Sequence, residues 1–463
     1  MNQNPRLNAL SRIFALSNGG NCRNVILAAL VFDAPLEPVQ VRQAFGKTTH
    51  LYPQFAAVLR RRRAGLRHLH YFQPIPQDER DTTMVEILRP PEAQPGTDIF
   101  EHVVSLLEPR LDRKRDLARE AAAKVFLIEI NDSASVLALL VDHWAADAWV
   151  ASEFMRRMMN ECNGGMTEIP PIVSGREQPL SIRVPQGSQT RRPGRGFAWR
   201  EVRSFWPRKA DTGTPLGTGS LTDQGYTVSR VALNSRETRF MRAKAGDLRV
   251  NVVDLLTASA HLAIAEWNGL RDVDTSTITT SMSVPVRDMM HSPDEPNGFA
   301  VIHLGSDAAQ RCERESLPLI MYRQRKQLAQ SGMPWKQRQF MSYLVSLGSL
   351  LPESLQRRIT SLLFNGLHWY RAAMQINYFG ALAPESVDGR MTGKSEVITC
   401  GQARCVDVFG FPYKTVPTAT PVQVHAFEYR EAFQMTVGSW SCNFSGSELR
   451  EFARLLGESL LRT

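Results

Sequence analysis

The chain has 463 residues, of which 43% are hydrophobic and 22% are charged. This length predicts two or three domains, and the composition is typical of a globular protein rather than a disordered or fibrous one. The sequence lacks a run of eighteen apolar residues and an N-terminal segment with signal-peptide character. We therefore expect no membrane span and a cytoplasmic location.

The net charge and the cysteines limit the classes of partner. The formal net charge is +9, and the densest basic cluster is residues 60–63 together with Arg67. A basic balance suits nucleic acid, but it equally suits coenzyme A phosphates or an acidic carrier protein. No nucleic-acid motif accompanies the cluster, so we expect a solvated surface and no nucleic-acid partner. Cys400 and Cys405 form a Cys-x4-Cys pair without a second pair, so no metal site is predicted.

Hydrophobic periodicity predicts strands and helices throughout the first half. The predicted elements are a strand over 24–33, a helix from about 37, a helix over 99–107 that continues through the charged segment to 123, strands over 124–131 and 135–142, and a helix over 147–162. From 170 to about 225, Pro, Gly, Ser, Thr and Arg dominate and the periodicity disappears. This composition indicates a long connection between two halves.

The second half repeats the mixture of strands and helices. Strands are predicted over 226–233, 276–286, 299–304, 374–379, 396–400 and, as a hairpin, 426–440, and helices from about 235, 251, 315, 353 and 445. We interpret the chain as an N-terminal lobe (1–172), a Pro/Gly/Arg-rich connection (173–225) and a C-terminal lobe (226–463). Two α/β units of this kind predict a cleft between them.

The most informative segment surrounds His143. A nearly uninterrupted apolar run ends at Asp142, which predicts a buried strand, and the next helix begins within about four residues. A histidine beside a helix N-terminus lies where backbone groups are free and a ligand can approach. Asp147 lies at the helix start, where the helix dipole favours its charge. The His-x3-Asp spacing alone favours a buried structural histidine over a catalytic one.

Residues 143–148 (HWAADA) resemble the HHxxxDG motif of nonribosomal peptide condensation domains, which is shared by chloramphenicol acetyltransferase, wax ester synthases and alcohol acetyltransferases. Asp142 replaces the first histidine and Ala148 replaces the glycine, whereas the family's catalytic second histidine matches His143. Other segments resemble the family in the same order along nearly the whole chain. These are SMSVPVRDMM followed by Asn297-Gly298, then INYFG, then DVFGFP, which is similar to the DFGWG motif.

The resemblance implies two chloramphenicol-acetyltransferase-like α/β sandwich lobes that form a V with a central cleft or tunnel. It implies that His143 is the general base and that Asp147 is structural and pairs with Arg287. The DVFGFP segment would support the second half or latch it across the cleft, with its aromatic pair in the core. The residues of that segment that match the motif are Asp407, Phe409, Gly410 and Phe411.

The two departures from the motif raise separate questions. Asp142 leaves two alternatives open, because its carboxylate either accepts backbone hydrogen bonds that hold the His143 loop or biases the tautomer of His143. Ala148 keeps its backbone N–H, but its methyl group adds bulk where glycine permits close approach, which narrows the tunnel or shifts the substrate.

The implied activity is acyl transfer from acyl-CoA or a phosphopantetheinyl carrier protein to an alcohol or amine, forming an ester or amide in natural-product or lipid biosynthesis. The thioester is a substrate, and no bound cofactor is expected. We expect a monomer whose partners are an acyl or peptidyl carrier protein and a small acceptor. The alternative is a catalytically degenerate member that binds a carrier protein or assembly-line partner. The set of His143, Asp147 and Arg287 favours the enzyme.

Overall fold

The computed structural model describes residues 7, 9–17, 24–64, 67–76, 84–89, 98–112, 115–165, 215, 217–218, 225–273, 275–286, 296–361, 372–382, 384–387, 390–395, 397–411 and 420–463. The predicted connection over 173–225 lies outside these residues, except for 215, 217, 218 and 225.

The first half of the chain builds one α/β lobe. Its helices are α1 (Ala9–Ser17), α2 (Pro38–Leu51), α3 (Ile99–Asp112) and α4 (Ala148–Cys162). Its strands are β1 (Val25–Phe32), β2 (Ala57–Ala64), β3 (Arg67–Pro74), β4 (Val85–Leu88), β5 (Ala123–Asn131) and β6 (Ala134–Asp142). β1, β6, β5 and β4 lie side by side in that order, and β2 pairs with β3 in a separate hairpin.

The second half builds another α/β lobe. Its helices are α5 (Ser235–Asp247), α6 (Val252–Gly269), α7 (Ala308–Cys312), α8 (Leu317–Gln330), α9 (Met333–Gly348), α10 (Glu353–Ser361) and α11 (Gly446–Arg462). Its strands are β7 (Tyr226–Leu233), β8 (Thr277–Pro285), β9 (Phe299–Asp307), β10 (Met374–Ala381), β11 (Pro384–Val387), β12 (Arg390–Ser395), β13 (Thr399–Cys400), β14 (Ala403–Phe411), β15 (Val422–Tyr429) and β16 (Ala432–Trp440). Six of these form a sheet in the order β7-β16-β15-β10-β8-β9, and β11 pairs with β12.

Apolar composition explains why β1 and β6 lie in the middle of the first sheet. β1 and β6 are apolar along almost their whole length and are buried at nearly every residue, as expected for strands covered on both faces. Each sheet packs against its own hydrophobic core, one in each lobe. These two cores confirm the prediction of two α/β units.

Two strands of the second half, β13 and β14, belong to the sheet of the first lobe. β14, which we call the crossover strand, runs antiparallel to β1 from the pair Leu27–Phe411 to the pair Phe32–Cys405. β13 pairs with its other edge, so the first sheet has the order β13-β14-β1-β6-β5-β4. The range assigned to the C-terminal lobe from sequence therefore includes two strands of the other sheet.

The crossover strand contacts both lobes through different chemistry. Phe409 and Phe411 are buried in the first core around Phe100, with ring centroids 5.2 and 5.6 Å from it. The Asp407 carboxylate accepts hydrogen bonds from Arg230 on β7 at 2.6 Å and from Gln434 on β16 at 2.8 Å. Apolar packing thus attaches this strand to one lobe and charge-assisted hydrogen bonds attach it to the other.

Most predicted elements are confirmed, including the hairpin that turns at Arg430, which has a φ of 54°, and the capping box of Ser445 and Glu448. The helix predicted to continue to 123 ends at Asp112. Several elements were not predicted; they are β3, β4, α7, α9, β11, β12 and the crossover strand. α9 follows Gly332, whose φ of 65° breaks the chain direction between α8 and α9.

Two further features concern membranes and metals. Among the described helices, no single one is long and apolar enough to span a bilayer; α5 and α6 satisfy that criterion only as a pair, and the pair is bent by 101°. Within the same residues, no group of three His, Cys, Asp or Glu side chains is arranged to hold a metal ion.

The packing of the crossover strand predicts a large stability loss for Phe409→Ala. Removing a buried ring leaves a cavity in the first core, so the free energy of unfolding should fall by about 3–5 kcal/mol. Urea denaturation measures the change. Val406→Ala is the matched control, because Val406 is on the same strand and 45% exposed. Equal losses for the two variants would show that the ring does not anchor the strand.

Candidate active site

The backbone around His143 is fixed by the end of β6. The His143 N–H donates to the Asn24 carbonyl at 2.8 Å, and the Ala145 N–H donates to the Asp142 carbonyl at 2.9 Å. The chain turns between these residues and α4 begins directly after Asp147. The apolar strand therefore delivers His143 to the end of the sheet, as the sequence predicts.

Asp147 joins this loop to the second lobe. One carboxylate oxygen caps α4 by accepting from the Val150 N–H at 3.0 Å, and the other accepts from the Gly298 N–H at 2.7 Å. The Asp147 N–H donates to the Pro296 carbonyl at 2.6 Å. Since Gly298 directly precedes β9, the N-cap of a first-lobe helix is also a contact between the lobes.

Asn297 fixes the orientation and the tautomer of His143. Its side-chain nitrogen donates to the His143 carbonyl and to Ser11 Oγ, each at 2.8 Å. A carbonyl oxygen only accepts, so the amide atom that faces the His143 carbonyl must be the nitrogen of Asn297. The amide oxygen of Asn297 then lies 3.0 Å from His143 Nδ1. An amide oxygen also only accepts. His143 Nδ1 therefore carries the proton, and the lone pair of the neutral ring is on Nε2.

Two aromatic rings hold the imidazole plane. Phe14 of α1 stacks on it with a centroid distance of 4.0 Å and an interplanar angle of 16°, and Phe299 of β9 lies at 5.6 Å and 45°. The imidazole thus packs against one ring from each lobe. Apolar contact of this kind restricts the ring without supplying a charge.

Burial lowers the pKa of His143 below its usual value of 6.5. The carbonyl groups of His143 and Ala146, the carboxylate of Asp147 and the amide of Asn297 act in the opposite direction but do not reverse the shift. The imidazole is therefore neutral near neutral pH, which is the form that accepts a proton.

Comparison with solved structures identifies the fold. The first condensation domain of the CDA synthetase matches with a TM-score of 0.64 at 14% identity, covering 99% of this chain and 97% of that one. The TRI3 trichothecene 15-O-acetyltransferase from Fusarium sporotrichioides matches with a TM-score of 0.64 at 13% identity, with coverages of 98% and 94%. This chain has the condensation-domain fold. No protein-family model and no curated protein sequence matches it.

A structure with a bound thioester shares this fold. The starter condensation domain of rhizomide synthetase RzmA, a mutant in complex with C8-CoA, matches with a TM-score of 0.59 at 10% identity, covering 98% of this chain and 94% of that one. Identities of 10–14% show that these three structures share the fold of this chain and show nothing about its chemistry.

Asp142, at the first motif position, has a partner outside the His143 loop. Its fully buried carboxylate lies 3.2 Å from Nη1 of Arg115, which also donates to the carbonyls of Ala121 and Ala122. This ion pair ties the end of β6 to the segment before β5. The sequence left two roles open for Asp142, and one of them was to bias the tautomer of His143. In the structure Asn297, not Asp142, contacts Nδ1 of His143 and sets the tautomer.

The other predicted site residues separate into two groups. Ala148 is the first residue of α4, next to Asp147. Gly410 lies on the crossover strand between the two buried phenylalanines, opposite Ala28 of β1, and Asp407 begins the same stretch. Arg287, the predicted partner of Asp147, lies outside the described residues.

Sequence reasoning did not assign Asn297, Phe14 or His425 to the site. Asn297 lies in a segment that resembles the family, but its contact with His143 spans 154 residues, which no local pattern reveals. His425 is buried, and its pKa is lowered to about 3 by burial and, to a smaller extent, by charge on His143.

Asp147→Asn should destabilise the junction of the lobes. Both carboxylate oxygens accept backbone N–H groups, so an amide nitrogen must face Val150 or Gly298 and leave that donor unsatisfied. The expected loss in unfolding free energy is about 1–3 kcal/mol, measured by urea denaturation. Asp307→Asn is the control, because Asp307 caps α7 with a single oxygen that asparagine retains. A neutral result for Asp147→Asn would contradict the double-acceptor role.

Proposed function

We propose that the protein is a condensation-type acyltransferase that moves an acyl group from a CoA or carrier-protein thioester to an alcohol or amine, with His143 as the general base. The observation that carries the proposal is the His143–Asn297 contact. It places the proton on Nδ1 and the lone pair on Nε2 of a buried, neutral imidazole at the junction of the lobes. The fold shared with condensation domains and an acetyltransferase supports the same reaction class.

The reaction follows from this tautomer. Nε2 accepts the proton of the acceptor O–H or N–H while the oxygen or nitrogen attacks the thioester carbonyl carbon. The tetrahedral intermediate collapses with cleavage of the C–S bond, and the proton passes from Nε2 to the leaving thiolate. The products are an ester or amide and a free thiol, so His143 returns to its neutral form.

Asp147 and Asn297 act on the base rather than on the substrate. The Asp147 carboxylate favours the imidazolium that forms during the transfer, and the Asn297 amide keeps Nδ1 protonated. Both are positioning residues. General-base assistance contributes about 10²- to 10⁴-fold, and orientation of the two substrates supplies a further part of the acceleration.

The identity of the thioester carrier is a separate part of the proposal. Arg60 contacts Gln73 and the Ala118 carbonyl, and Arg61 pairs with Glu353, so two of the five arginines of the basic cluster already have partners in the chain. Side-by-side assays with an acyl-CoA and the same acyl group on a carrier protein distinguish the two donors.

His143→Ala should reduce thioester-dependent transfer by about 10²- to 10⁴-fold. The measurement is thiol release from octanoyl-CoA in the presence of an alcohol or amine, with mass detection of the ester or amide. His261→Ala is the control histidine, because His261 contacts Ser306 and Thr280 inside the second lobe. Equal rates for wild type and His143→Ala would instead favour the alternative of a carrier-protein-binding member without catalysis.

The pH profile should report the lowered pKa of His143. The neutral ring is the active form, so kcat/KM should be constant above the pKa and fall as the pH decreases through a value below 6.5. Nitrogen NMR of the labelled protein should give the same midpoint and show the proton on Nδ1. A midpoint above 6.5, or a proton on Nε2, would contradict the assigned geometry.

A further inference from the structure

The sheet of the second lobe has two unlike faces. On one face, alternate residues of its central strands are apolar and belong to the second core; they include Met374, Ile376, Val422, Val424, Met435 and Val437. Side chains alternate across a strand, so the intervening residues point the other way. Phe379 and Phe427, which are among those intervening residues, pack against the first core. The second face therefore points toward the first lobe.

The middle of this second face is polar. Its polar residues lie in two rows of strand partners and are between 1% and 8% exposed. One row is Ser281, Gln375 and Gln423, and the other is Asn377, His425 and Thr436. We call these six residues the polar band. Polar side chains buried in this number need hydrogen-bonding partners.

The polar band lies beside the proposed base. Phe299 of β9 lies on the same face, because the alternating residues Ala300 and Ile302 belong to the second core. Its ring centroid is 5.6 Å from that of His143. On the crossover strand, a Cβ at Gly410 would lie 4.0 Å from His425 Nδ1. The ring of Phe379 contacts the His425 ring edge to face at 5.3 Å. The band therefore borders the region where the lobes meet around His143.

The chemistry of the band indicates what it binds. None of its six residues carries a charge near neutral pH, since the pKa of His425 is lowered to about 3. The next residue along the second row is Arg230, opposite Thr436, and its guanidinium pairs with Asp407. Gln375, Gln423 and Asn377 each present one donor group and one acceptor, the combination that complements an amide or a hydroxyl.

We propose that the polar band binds an uncharged amide- or hydroxyl-bearing part of a substrate and gives the enzyme a preference for such groups over hydrocarbon. This inference rests on the proposed acyl transfer at His143, because it places the bound group next to that base. The amide belongs either to the pantetheine-like arm of the thioester or to the acceptor.

Matched probe pairs test the preference. Serinamide and 2-amino-1-butanol carry the same amine and hydroxyl, but serinamide has a carboxamide where 2-amino-1-butanol has an ethyl group. The S-methyl thioether of N-acetylcysteamine has an acetamide where the S-methyl thioether of pentanethiol has a hydrocarbon chain of the same length. Ligand-observed NMR gives the dissociation constants, which do not depend on turnover. Wild type should bind the amide member of at least one pair about 3- to 10-fold more tightly, as expected for one or two neutral hydrogen bonds.

Gln423→Met and Gln375→Met keep the side-chain length and remove the amide. Each should reduce the wild-type preference by about 2- to 10-fold while leaving the binding of the hydrocarbon member unchanged. Gln327→Leu is the control, because Gln327 is exposed on α8 and should preserve the preference. Thermal unfolding confirms that each variant is folded.

The outcomes separate the two proposals. A preference within the serinamide pair assigns the band to the acceptor, and one within the thioether pair assigns it to the donor arm. Equal binding within both pairs, or an intact preference in both Met variants, overturns the inference even if His143-dependent turnover is present. Absence of His143-dependent turnover with a Gln423-dependent amide preference instead overturns the catalytic proposal and keeps the binding site.

Discussion

The site depends on a set of hydrogen bonds between residues 296–298 and the loop that ends at Asp147. These bonds connect the start of β9 in one lobe to the end of β6 in the other. They lie between 2.6 and 3.0 Å, a range in which a displacement of about 1 Å removes a hydrogen bond. The Asn297 contacts orient the base only while the lobes are docked, because separation of the lobes would remove them.

The docking has a second, independent support in the crossover strand. Its backbone ladder with β1 and its buried rings make it part of the first lobe, whereas Asp407 reaches Arg230 and Gln434 of the second. Ladder hydrogen bonds and buried aromatic area resist separation more strongly than the half-buried ion pair does. The strand thus provides the attachment, and the polar contacts at residues 296–298 provide the alignment of the base.

Sequence reasoning performed well where the signal is local. The apolar run before His143, the cap at Asp147 and the periodic helices all depend on residues within a few positions of one another, and those elements lie where predicted. It failed where the signal is distant. The alternation in residues 403–411 is compatible with either sheet, so nothing local assigns the crossover strand to β1. The role of Asn297 depends likewise on a docked partner lobe, as does the proximity of His425 to His143.

The region around His143 contains a second imidazole, that of His425 from the second lobe. The first lobe supplies a base that must become positively charged during the proposed reaction, and a second charged imidazole nearby would oppose that step. His425 avoids this conflict near neutral pH, because burial lowers its pKa to about 3 and keeps the ring neutral. It therefore offers hydrogen bonding without a competing charge. The same argument extends to the rest of the polar band, whose amides and hydroxyls contact the region of the base without adding to its charge. A neutral polar wall opposite a neutral base leaves the carboxylate of Asp147 as a fixed countercharge that favours proton uptake at His143.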